Sequence, residues 1–121
     1  MKKYNIQNYI RYKEDVKRAI KRIDKKSDFT LYTRDELKIL FLPLVENVAR
    51  KFSTSQTASG PMSILDLIQE GSKGLQQAVE RLEMDTLMES LDQEKTIKSF
   101  LSKRIRGAIR RGIDINRGDM R

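Results

Sequence analysis

The sequence predicts an all-α fold, and three observations carry that reading. Only six glycines and two prolines punctuate 121 residues, while Lys, Arg, Glu, Gln and Leu, all good helix formers, are abundant. Apolar side chains recur at three- and four-residue spacing, the period of a one-sided helix. Thr33 with Glu36 and Ser63 with Asp66 form capping signals in front of two of those stripes. A compact unit of four to five helices is expected, because a chain of this length builds one core.

The elements follow in order. In residues 4–24, Ile6, Tyr9, Ile10, Val16, Ala19, Ile20 and Ile23 make the first stripe, with Lys13, Lys17, Arg18 and Lys21 on the wet side. A second helix starts after Thr33 and carries Leu37, Leu40, Phe41, Leu44, Val45, Val48 and Phe52. Pro43 falls inside it and costs about 3 kcal/mol in a helix interior, so a kink or restart is expected there. Residues 53–62, STSQTASGPM, read as a loop. After Ser63, the stripe Ile64, Leu67, Ile68, Leu75, Ala78, Val79 and Leu82 contains Gly71 and Gly74. Each glycine costs roughly 1 kcal/mol against alanine, so the pair predicts close approach by a neighbouring helix. Residues 83–94 fit a loop or a short helix equally well. The last helix is expected over residues 94–113, burying Ile97, Leu101, Ile105, Ala108, Ile109 and Gly112 and turning a cationic face outward.

The composition removes whole classes of function. There is no Cys and no His, so disulfides, thiol nucleophiles, imidazole bases and the usual zinc ligands are absent; no enzyme activity, metal or cofactor is expected. Asp66 and Glu70 share a helix face, but exposed acids at that spacing are ordinarily solvated rather than bound to Mg²⁺. No apolar run approaches the length of a membrane span, and residues 1–17 lack the apolar core of a secretory signal. A soluble, cytoplasmic protein is expected.

The net charge of +8 is divided into blocks. Residues 1–61 hold fourteen basic and seven acidic side chains (+7), residues 62–94 hold two and eight (−6), and residues 95–121 hold nine and two (+7). A surface that meets only nucleic acid gains nothing from an acidic block that repels phosphates. Two partners are therefore expected: a basic protein surface for the middle, and nucleic acid for the tail, where Lys98, Lys103, Arg104, Arg106, Arg110 and Arg111 crowd one helix. Solvation alone also collects charges on helix faces, so the blocks by themselves do not decide.

Particular strings add to this. Leu42-Pro43-Leu44-Val45, Val48-Ala49-Arg50-Lys51-Phe52, Leu65-Asp66-Leu67-Ile68-Gln69-Glu70-Gly71, Gly74-Leu75, Ala78-Val79 and the later Arg104-Ile105-Arg106-Gly107-Ala108-Ile109 occur in an order that resembles region 2, the helical domain of bacterial sigma factors. The resemblance covers residues 33–113. It implies an all-α domain at 33–121, preceded in residues 1–32 by a helix of open role. It also implies that Leu65, Asp66, Gln69, Glu70, Ser72 and Gln76 dock on the clamp helices of the largest subunit of core RNA polymerase. Lys98, Phe100, Lys103, Arg104, Arg106, Arg110 and Arg111 would capture the minus-ten promoter element, with Phe100 at an aromatic position of that helix. Phe100 fits the apolar stripe as well, so its spacing allows core packing or base stacking.

The departures from the family pattern bear on function. Lys103 and Arg104 stand where primary sigma factors carry an aromatic pair, and Gly107 stands where the upstream base pair of the element is read. Cations there grip phosphate or stack on a base but wedge a fork less well. No upstream-element reader follows Arg121, so the expectation is a reduced factor like the late sigma factors of tailed phages, dependent on a separate coactivator, or a fragment. The alternative is a polymerase-binding regulator that never touches promoter DNA.

Overall fold

Chemical signals at the helix ends explain most of the element boundaries. The computed structural model describes residues 3–53 and 62–117, with side chains over 7–53 and 62–115. These residues form α1 (Lys3–Lys21), α2 (Arg34–Leu40), α3 (Leu42–Ser53), α4 (Ile64–Glu80), α5 (Met84–Glu89) and α6 (Gln93–Arg117), with a 3-10 turn at Phe29–Leu31. No strand occurs among the described residues, and the fold is all-α.

Both capping boxes form. The Thr33 hydroxyl accepts from Glu36 N–H at 3.0 Å while Glu36 accepts from Thr33 N–H at 2.8 Å, and Ser63 and Asp66 exchange the same pair at 3.2 and 3.0 Å. At Pro43 the chain restarts rather than kinks. α2 closes on Phe41 and α3 opens at Leu42, which puts the proline in a first turn, where its missing N–H leaves no intrahelical acceptor unpaired. The expected loop falls largely on residues 54–61, outside the described residues. Residues 83–94 resolve into a short helix and the start of the next. α5 buries Leu87, and the Asp92 carboxylate accepts from Lys95 N–H at 3.1 Å at the head of α6. α6 runs four residues past the expected end, since nothing in residues 114–117 breaks a helix.

The core is built where α4, α6 and α3 meet. Leu67, Leu75, Val79, Ile97, Leu101, Ile105, Ile109 and Val45 are all sealed from solvent. Gly71 and Gly74 allow this meeting. A Cβ on Gly71 would lie 2.8 Å from Val45 Cγ1, and one on Gly74 would lie 2.6 Å from Ala108 Cβ and 2.9 Å from the Arg104 carbonyl oxygen. The close approach expected from the two glycines is real. Arg34 ties α2 to the far end of α4, donating to the carbonyls of Val79 at 2.5 Å and Leu82 at 3.1 Å.

The first helix departs from its expected pattern. Ile10 is exposed rather than in the stripe, Val16, Ala19 and Ile20 are only half-buried, and Ile6 lies outside the described side chains. α1 is held by half-buried Tyr9, Tyr12 and, just past its end, Ile23. The Tyr9 hydroxyl donates to Glu46 at 2.6 Å, and Lys13 and Arg50 approach the same carboxylate at 3.8 and 3.9 Å. The stripe fails because α1 lies on a surface already closed by α2, α3 and α4, so two tyrosines with polar tips suffice where a core helix would need a continuous apolar face.

Two tests follow from this packing. Gly74→Ala is expected to destabilise by about 1–3 kcal/mol, because the backbone carbonyl facing it cannot retreat. Gly107→Ala, whose Cβ would meet only the Arg111 guanidinium at 3.6 Å, is expected to be neutral or stabilising by up to ~1 kcal/mol in urea denaturation. In the folded chain, burial and then the Glu46 hydrogen bond push the Tyr9 phenol up to about 12. A raised value makes this contribution complete below the unfolded tyrosine's pKa, ~10, and removes it as pH rises toward 12. Stability measured from pH 9 upward should therefore fall across that window in the wild type, and fall less in Tyr9→Phe.

Candidate functional site

The residues singled out in the sequence lie on two surfaces. The first is the side of α4 turned away from the core. Asp66, Gln69 and Gln76 are exposed there, and Leu65, Glu70 and Ser72 are half-buried. The structure adds a neighbour that the sequence did not foresee. α1 runs alongside this face, so that Leu65, Gln69, Ser72 and Gln76 share a groove of about 660 Å³ with Asn8, Arg11, Tyr12 and Asp15. The Tyr12 hydroxyl is buried without a hydrogen-bond partner among the described residues, and burial raises its pKa. An unpaired buried hydroxyl costs about 1–3 kcal/mol, which makes this the least favourable contact of α1.

Asp66 and Glu70 have structural work of their own. The Asp66 carboxylate closes the α4 capping box. Glu70 pairs with Lys73 at 3.3 Å, and its methylenes fill the space that a side chain on Gly112 would need, only 2.5 Å from a Cβ placed there. Gly112 therefore makes room for Glu70 rather than burying a face of its own. Both carboxylates are thus engaged within the fold, and no cluster of three or more metal-ligating side chains exists among the described residues.

The second surface is a cleft between the end of α4 and the side of α6. Phe100, Arg104, Gly107 and Arg111 rise along one ridge of α6 at helical spacing. Two neighbouring cavities lie against it. One, about 320 Å³, is lined by Gly74, Gln77, Arg81, Lys103, Arg104 and Arg111 among others. The other, about 250 Å³, is lined by Arg81, Glu83, Thr86, Thr96, Phe100 and Arg104 together with Leu82 and Leu87. Arg81 and Arg104 border both. None of Arg81, Lys103, Arg104 and Arg111 is ion-paired among the described residues, so the positive charge of the cleft is unspent. Phe100 is half-buried against the core, and the Arg104 guanidinium lies over its ring, 4.3 Å from the centroid.

The remaining cations stand apart from this cleft. Arg106 and Arg110 are exposed on α6 and line neither cavity, and Lys98 is held by Glu94 at 2.7 Å. Arg81 is the residue that sequence reasoning missed. It is the C-cap of α4, a lone arginine in an acidic block, and only the fold brings it opposite α6. No helix among the described residues is long and apolar enough to cross a membrane. Comparison with protein-family models, curated proteins and solved structures finds no significant match.

The division of labour on α4 can be measured. Asp66→Ala is expected to lower stability by about 1 kcal/mol through the lost cap, whereas Gln69→Ala and Gln76→Ala should stay within about 0.5 kcal/mol of wild type in chemical denaturation. Equal losses at all three positions would contradict the assignment.

Proposed function

We propose that this chain is a transcription-initiation specificity factor, holding core RNA polymerase through the outward face of α4 and taking the minus-ten strand of promoter DNA along α6. The observation that carries the reading is the separation of two unlike surfaces on helices locked to each other. One is a mixed groove beside Gln69 and Gln76, in which Arg11, Lys73 and Asp15 stand among polar and apolar side chains; the other is a cationic cleft with an aromatic ring in its wall. The string Leu65-Asp66-Leu67-Ile68-Gln69-Glu70-Gly71 and its resemblance to sigma region 2 point the first surface toward the polymerase. The second has what single-stranded DNA needs, a track of unpaired cations for phosphates and a stacked surface for a base.

In this reading Arg81, Lys103 and Arg111 follow the strand backbone, and a displaced base stacks on the Arg104 guanidinium that already covers Phe100. The acidic residues around α5, Glu83 and Asp85 first among them, repel phosphates on that side and favour base over backbone there. The chain performs no chemistry; the polymerase does.

The second reading, a regulator that docks on polymerase without touching the promoter, gains support from the same contact, because Arg104 occupies the ring face that a base would otherwise take. Abortive initiation from a pre-melted, A·T-rich promoter bubble distinguishes the two. With core polymerase, the wild-type chain is expected to direct synthesis from one start site. Arg81→Ala/Lys103→Ala/Arg104→Ala/Arg111→Ala is expected to lose this at least tenfold while still binding polymerase. Full activity in that variant favours the regulator, and no start-site selection by the wild type contradicts the proposal.

A further inference from the structure

A third surface lies away from both of these, where the end of α1, the 3-10 turn and α2 enclose a cavity of about 480 Å³. Its floor is apolar: Ile20, Ile23, Phe29 and Leu40 are half-buried, and Tyr32 and Phe41 are buried beneath them. Its rim is cationic. Lys25 and Lys26 stand beyond the end of α1, exposed, with no ion pair to any acid among the described residues.

The walls are braced. The Tyr32 hydroxyl accepts from Lys26 N–H at 2.8 Å, and the Phe29 ring packs at a tilt against Tyr32 and Phe41, with centroids 6.2 and 5.7 Å away. Asp28, the acid at the edge of the cavity, is committed elsewhere. It accepts from Thr30 N–H, the Thr30 hydroxyl and Gln93, while Gln93 accepts from Phe29 N–H at 3.0 Å and so anchors the turn to α6.

A preformed apolar hollow with unspent positive charge on its lip complements one kind of occupant, an amphipathic segment that buries aliphatic or aromatic side chains and sets carboxylates against the lysines. We propose that this cavity is a docking site for an acidic amphipathic helix of a partner protein. Charge complementarity selects the sign of the partner. The floor selects protein over nucleic acid, because Ile20, Ile23 and Leu40 give a base nothing to stack on and the rings are engaged with one another, Phe29 packing at a tilt against buried Tyr32 and Phe41. The site is independent of the α4 and α6 surfaces, and its test stands whatever those surfaces bind.

The probe is a fluorescein-labelled synthetic helix with Leu and Phe at positions i, i+3, i+4 and i+7 and Glu elsewhere, titrated with the full chain and followed by anisotropy. Saturable binding is expected, weakened tenfold or more by Lys25→Glu/Lys26→Glu, whose exposed side chains make no ion pair among the described residues, and little changed by Arg106→Glu/Arg110→Glu. Ile23→Ala should weaken binding as well, and amide shifts in the complex should centre on residues 20–41. The proposal is overturned by equal affinity for a scrambled peptide of the same composition, by equal losses in the two charge-reversal variants, or by a single-stranded oligonucleotide displacing the peptide from the lysine rim. Self-association that depends on Lys25 and Lys26, without peptide binding, assigns the cavity to a second copy and also overturns it.

Discussion

The structure depends on how closely α4 can lie against α6. Two missing side chains, at Gly71 and Gly74, allow one helix backbone to rest against the Ala108 methyl group and the Arg104 carbonyl of the other. The two surfaces proposed to meet polymerase and promoter follow from that distance. It brings Arg81, at the end of α4, opposite Arg104 and Arg111, and turns the Gln69 and Gln76 side of α4 outward. Widening the contact by a methyl group would move both surfaces together, because densely packed helices transmit displacement rather than absorb it.

The charge blocks take on a different meaning once placed in three dimensions. The acidic middle suggested a basic partner for α4, yet much of that charge lies on and beside α5, and the carboxylates on α4 itself are engaged by Ser63, Lys73 and, at Glu80, by Lys38 at 2.5 Å. That last contact lowers the Glu80 pKa and raises that of Lys38, the direction expected of a formed pair. What α4 offers a partner is chiefly polar and uncharged, while the acidic flank around α5 borders the cationic cleft and limits where phosphates can lie.

Much of the fold was legible because local signals agreed with tertiary packing. Both capping boxes, the restart at Pro43, the glycine contact and the buried face of α6 were readable, each resting on chemistry within a few residues. The stripe of α1 was misread at Ile10, since periodicity does not reveal that a helix rests on a finished core through two tyrosines. The candidate site was legible one helix at a time. Phe100, Lys103, Arg104 and Arg111 could be set on one helix from spacing alone, whereas Arg81 and the α1 wall of the α4 groove could not be placed, because both arise from contacts distant in sequence. Lys98, placed with them by the sequence, pairs with Glu94 on the same helix.

The central claim is that the outward face of α4 holds RNA polymerase, and capture of core enzyme on immobilised chain at moderate salt tests it most directly. The account predicts that the wild type retains core polymerase and that Leu65→Ala/Gln69→Ala/Gln76→Ala, folded and with the α4 cap intact, does not. Retention by both chains, or by neither, would contradict it.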